Sequence, residues 1–169
     1  MFIKILKILG GAIVILGVAV SLLLFTPLGI RPLSLIFPMG NIAPINFKTL
    51  TLKDSPNQYL VCPEDFCVAP INVASPVFAI PVASLKLQWD DMLMRQPQVT
   101  RLQALSTDRQ ETVIQRTDWM RYPDIITVEF IPLGTGQSSL AIYSRSIYGR
   151  QDFGANQDRI KLWISDLNK

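Results

Sequence analysis

Histidine is absent from the 169 residues. That removes the commonest general base, the Ser-His and Cys-His nucleophile pairs, and the most frequent metal ligand. Cysteine is scarce, with only Cys62 and Cys67. Two cysteines without histidine do not supply the four ligands of a structural zinc site. Their spacing is not the C-x-x-C of a catalytic dithiol, and haem attachment would need C-x-x-C-H. Charge of one sign is not concentrated either. The chain has 16 basic and 13 acidic residues, and Lys4 and Lys7 precede its hydrophobic run, so the rest carries 14 against 13, or +1. A near-neutral domain lacks the clustered basic surface that nucleic acid requires. There is no acidic tail, polybasic run, internal repeat or low-complexity tract. From these absences the sequence predicts no catalytic residue, no metal, no cofactor and no nucleic-acid partner, and the balance leans away from an enzyme.

What the chain has in plenty is an uninterrupted apolar run. Ile8 to Phe25 is 18 residues without a charge. At about 1.5 Å per residue it spans roughly 27 Å, close to a bilayer core of about 30 Å. No polar stripe marks it as a core helix. It reads as a transmembrane anchor, completed by Thr26, Pro27 and Leu28, so residues 1–28 form a cytoplasmic N-terminus and anchor. Lys4 and Lys7 lie before it and only Arg31 soon after. The positive side stays cytoplasmic, which sends the C-terminal domain to the periplasmic side of an inner membrane. The alternative is a secreted protein after signal cleavage. A signal h-region is usually shorter, however, and Thr26-Pro27-Leu28-Gly29 is a poor cleavage site. Gly17 and Ser21 form a small-xxx-small pair that would admit another helix. Membrane lipid and integral membrane proteins are the partners this topology implies.

Residues 29–56 read as an apolar linker or membrane-surface segment. Five prolines fall between Pro27 and Pro56, and Leu33, Leu35, Ile36, Phe37 and Met39 make it unlike a polar flexible tether. It lies on the membrane or packs on the domain. Residues 57–169 form the globular domain. Ser84 to Gln96 is a predicted helix with Ser84 as N-cap and Leu85, Trp89, Met92 and Leu93 on one face. Four strands follow: Val99–Leu105, Glu111–Thr117, Ile125–Leu133 and Ser139–Ser146. Gly134-Thr-Gly-Gln137 is a hairpin signal between the last two. A final helix runs from Asn156, its predicted N-cap, to Leu167, with Ile160, Trp163, Ile164 and Leu167 on one face. The fold class is α+β: an N-terminal transmembrane helix, then an antiparallel sheet of four or more strands with two helices packed on one face.

Cys62 and Cys67 bracket Pro63-Glu64-Asp65. In a non-cytoplasmic domain the first reading is a disulfide that pins this turn. Free thiols and redox chemistry remain as alternatives. The densest motif is Tyr143-Ser-Arg-Ser-Ile-Tyr-Gly-Arg-Gln-Asp-Phe-Gly-Ala-Asn-Gln-Asp-Arg159. A strand end leads through a glycine-bearing turn into a capped helix. Gly149 and Gly154 permit backbone angles other residues resist, and Asp152 accepts from turn amides. Arg145, Arg150 and Arg159 place three cations near a helix N-terminus, where free N–H groups also attract anions. Ser144, Arg145, Ser146, Arg150, Asp152, Asn156 and Arg159 are therefore the candidate anion-binding residues. The competing reading is architectural, since a tight turn and a cap require the same residue types.

This stretch resembles the domain-of-unknown-function family 1499, whose pattern S-x-S-x-x-G-x-x-D-x-G-x-N-x-x-R precedes a final helix. Ser144, Ser146, Gly149, Asp152, Gly154, Asn156 and Arg159 match it. Many members have an arginine where this chain has Ile147. Arg121-Tyr-Pro-Asp124 looks like the family's second signature, and Arg121 with Asp124 reads as an internal salt bridge. The Asn57–Cys67 and Ser75–Phe78 stretches resemble a membrane-anchored bacterial branch. The resemblance covers most of Asn57 to Asn168 and implies no activity. Three functions follow: a non-catalytic binding or accessory protein of a larger membrane complex, an anion or lipid-headgroup binder, and an enzyme with Ser144 or Ser146 as nucleophile.

Overall fold

The structure is a computed structural model and describes residues 2–25 and 36–168. It divides into two compact units, one of residues 1–38 with 119–121, the other of residues 39–118 with 122–169. In the first unit, helix α1 runs Phe2–Phe25. Among the described residues, no helix is long and apolar enough to cross a membrane. This overturns the expected transmembrane anchor. Arg31, Leu33 and Leu35 of the expected linker lie outside the described residues.

The second unit is an α+β domain around one six-stranded mixed sheet. Its strands are β1 (Gln58–Cys62), β2 (Val73–Ala74), β3 (Val99–Arg101), β4 (Gln110–Arg116), β5 (Pro123–Pro132) and β6 (Ser138–Ser146). The order is β2-β1-β6-β5-β4-β3. The meander from β3 to β6 is antiparallel, as short turns between successive strands dictate. At the hairpin, Leu133 N–H donates to the Gln137 carbonyl at 3.0 Å. The expected four-stranded antiparallel sheet is extended by two strands. β1 pairs antiparallel with β6, and β2 pairs parallel with β1. The expected first strand ends early, because Gln103–Leu105 turn into a 3-10 helix.

Helices α2 (Val82–Met94) and α3 (Ala155–Leu167) cover one face. Leu85, Trp89, Met92 and Leu93 of α2 meet Ile160, Trp163 and Leu167 of α3 over Val113, Ile126, Val128, Phe130, Leu140 and Ile142. The two tryptophan rings meet edge-on with centroids 5.4 Å apart, an arrangement worth about 1 kcal/mol beyond burial. Both expected caps are corrected. The N-cap of α2 is Pro81, and Ser84 falls inside the first turn. The N-cap of α3 is Gly154 in a left-handed conformation at φ 86°, and Asn156 is already helical.

The opposite face is covered by chain from the N-terminal side of the domain. Phe47 is fully buried against Leu60, Cys62, Ala69, Ile131, Ala141 and Tyr143, with Ile45, Leu50, Leu52, Phe66 and Cys67 packed around them. The Gln110 side chain donates to the Ile45 carbonyl at 3.0 Å and ties this cover to β4. Cys62 and Cys67 are bridged, with Cα atoms 6.2 Å apart. The bridge closes the turn in which Phe66 N–H donates to the Pro63 carbonyl.

Candidate functional site

Strand alternation divides the motif between the two faces. Ser144 and Ser146 share the helix-covered face with Leu140 and Ile142, whereas Arg145 shares the other with Ala141 and Tyr143. Across the sheet, register sets Gln115 opposite Asp124 and Asp124 opposite Ser146. A polar row therefore crosses three strands at one end of the helix-covered face, and α3 begins above it.

Asn156 is the hub of that row and is fully buried. Its Oδ1 accepts from Ser144 Oγ at 2.5 Å and from Arg159 Nη1 at 2.9 Å. Its Nδ2 donates to Asp152 Oδ2 at 2.7 Å, Ser146 Oγ at 3.0 Å and the Asn57 carbonyl at 3.1 Å. Asp152 takes the capping role expected of Asn156. It accepts from the Asn156 N–H at 2.9 Å and the Gly154 N–H at 3.2 Å. Burial alone would raise the Asp152 carboxyl, but these bonds from Asn156 and Gly154 outweigh it and hold the group below its ordinary value.

Arg159 completes the row. It donates to Gln115 Oε1 at 2.5 Å, Ser144 Oγ at 3.0 Å and Asn156 Oδ1 at 2.9 Å, and pairs with Asp124 at 2.6 Å. Its guanidinium is thus spent on the protein itself. Asn57, just before β1, donates to the Gly149 carbonyl at 2.7 Å, where Gly149 adopts φ 78°. The network fastens the start of α3 and the turn before it to three strands.

The three arginines expected to form one anion site are separated. Arg159 lies inside the network, Arg145 lies on the opposite face, and Arg150 is exposed on the turn. The carboxylate of the second signature, Asp124, pairs with Arg159. Arg121 adopts φ 57° and belongs to the first unit with Trp119 and Met120. Phe153, between Asp152 and Gly154, adopts φ 53° and is 94% exposed.

Arg145 has a different environment. It is 8% exposed and stacks over the Tyr143 ring, 5.0 Å from its centroid. Its Nη1 has no hydrogen-bond partner. Gln58 stands directly across from it on β1. Gln58 accepts from the Tyr143 hydroxyl at 2.5 Å and the Lys53 N–H at 3.2 Å, and donates to the Lys53 carbonyl at 2.6 Å. Lys53 is thereby held beside the end of β6, its Nζ 3.5 Å from the Ser146 carbonyl. Burial pushes the Arg145 guanidinium below its ordinary value. Burial and then the neighbouring Arg145 charge do the same to Lys53. Lys53, Gln58 and Tyr143 were not singled out from sequence. The signal that finds them is the register of β1 on β6.

The domain is thus an α+β module whose last helix is bolted to its sheet by a buried polar network. Residues 50–167 match the family described as "Protein of unknown function (DUF1499)", and the chain belongs to that family. No curated protein and no solved structure matches the chain.

Proposed function

We propose that this chain is a non-catalytic binding or accessory protein, acting as a subunit or assembly factor of a larger complex outside the cytoplasm. The observation that carries the reading is the state of the motif serines. Ser144 is fully buried and its hydroxyl is committed to Asn156 and Arg159. Ser146 is also buried and accepts from Asn156. A nucleophile needs access to substrate and a positioned base, and neither hydroxyl has them. The Cys62–Cys67 bridge supports an oxidising compartment such as the periplasm.

The reading is tested by purifying the tagged full chain from its source cells in mild detergent and measuring the mass of the assembly. A fixed-stoichiometry complex supports it. A monodisperse monomer overturns it, as would turnover of an ester or phosphoester substrate that is lost in Ser144→Ala while the fold is retained.

A further inference from the structure

Arg145 presents a charge that the protein does not neutralise. The chain has 13 acidic side chains, and all lie within the described residues. Ion pairs join Arg101 to Asp90 and Glu111, and Arg159 to Asp124. None reaches Arg145. An arginine keeps its proton in proteins, so burial does not neutralise this group as it can a lysine or a carboxyl. Buried charges in native proteins are ordinarily paired. A second cation, Lys53, stands at the same end of β6, its Nζ 3.5 Å from the Ser146 carbonyl, and its proton affinity is lowered first by burial and then by Arg145. Two cations thus stand at one end of β6, one carried by the strand and the other held by the Gln58 clamp.

We propose that Lys53 and Arg145 form a binding site for a phosphate-class oxyanion, on the face of the sheet opposite α2 and α3. The exposed Lys53 ammonium supplies the solvent-facing donors, and the Arg145 guanidinium, whose buried Nη1 lacks a partner, supplies the second cation behind it. The Tyr143 ring under the guanidinium fixes its plane, which suits arginine recognition of phosphate. Lys53 is exposed, so the site borders solvent. This rests on reading the protein as a binding module and names the chemistry of one ligand. It draws on neither Arg150 nor Arg159. The oxyanion can come from a lipid headgroup or from a free phosphorylated solute.

The test uses the full chain in phosphate-free buffer. Thermal midpoints are measured with inorganic phosphate and with glycerol 3-phosphate, against chloride at equal ionic strength. Flotation is run with phosphatidylglycerol and phosphatidylcholine vesicles. A phosphate ligand at tenfold over its dissociation constant should raise the midpoint by about 3–5 °C. Arg145→Met should abolish the rise, Lys53→Gln should reduce it, and Arg150→Ala should leave it unchanged. Lys53 is exposed, so its substitution preserves the fold and keeps the test valid if Arg145→Met does not fold. A rise with free phosphate alone identifies a solute. Flotation with phosphatidylglycerol alone, lost in Lys53→Gln, identifies a lipid headgroup. The proposal is overturned if no phosphate-specific rise and no selective flotation occur, or if either persists undiminished in Lys53→Gln. A stoichiometric protein complex that survives in Lys53→Gln would leave the accessory role standing when the oxyanion site fails.

Discussion

Two arginines reach the C-terminal end of β6, one on each face of the sheet. Arg159 arrives from α3 and meets Gln115, Ser144, Asn156 and the Asp124 carboxylate. Arg145 projects from the strand itself, stacks on the Tyr143 ring and leaves its Nη1 without a partner. Both are mostly buried, and both come from the same sequence motif. The difference teaches that a dense motif can hold two kinds of residue. Seven of its positions close a structural lock, and their chemistry is exhausted by the protein. The residue in between, alternating to the other face, keeps a donor in reserve.

The contrast is broken most severely at Asp124. Asp124→Asn leaves the Arg159 guanidinium buried without its counter-charge, and removing one partner of a buried pair costs about 3 kcal/mol. Urea unfolding should show the loss as a lowered midpoint with an unchanged slope. A loss under about 0.5 kcal/mol would mean that the lock does not depend on this pair.

A smaller effect belongs to the opposite face. Reducing the Cys62–Cys67 bridge, or replacing both cysteines with alanine, frees a very short loop, for which chain entropy gives about 2 kcal/mol. Thermal unfolding with and without reductant measures it. The same change loosens the cover that contains Phe47 and Phe66. Phosphate binding at Lys53 and Arg145 should therefore weaken on reduction, while the Asp124–Arg159 lock is untouched.

The smallest effects are in pH dependence, and two carboxylates act with opposite sign. Asp152 is held below its ordinary value of 3.8 by the Asn156 and Gly154 bonds. Its contribution is present above 3.8 and is lost as pH falls through its lower folded value. Asp152→Asn should flatten stability against pH in that acid range. Glu111 is buried beside Arg101 and Trp89, and burial raises it above its ordinary value of 4.5 despite both partners. Its contribution is fully present below 4.5 and is lost as pH rises through the higher folded value. Glu111→Gln should remove that decline. Denaturation midpoints collected from acid to neutral pH test both signs.

Much of the lock could be read in the sequence, and its geometry explains why. Leu85, Trp89, Met92 and Leu93, like Ile160, Trp163 and Leu167, follow helical spacing because one face meets the sheet. The strands of the meander follow their turns. β1 escaped notice because both its faces are covered, Tyr59 and Val61 by helices, Leu60 and Cys62 by the Phe47 cluster. A strand buried on both sides shows no alternation between apolar and polar. β2 has only two residues and leaves no pattern. Asn156 looked like a cap because asparagine at a helix start usually is one. Only the tertiary structure shows Asp152 taking that role while the Asn156 side chain turns to the sheet. The length of the N-terminal apolar run supported a membrane span that the described helix does not sustain. The placement of Lys53 at the end of β6, against the Ser146 carbonyl, spans over ninety residues and depends on β1 lying beside β6, which no local motif encodes.

The most direct test is to measure urea unfolding of Arg145→Met and Arg159→Met side by side in phosphate-free buffer. Removing Arg159 strips Asp124, Ser144 and Asn156 of a partner and should cost about 3 kcal/mol. Removing Arg145 deletes an unpaired buried charge and keeps most of the apolar stem, so stability should hold or rise by about 1 kcal/mol. Opposite responses are the expected result. Comparable losses in both variants would show that Arg145 is part of the lock, and would contradict the division of the motif into a satisfied face and an open one.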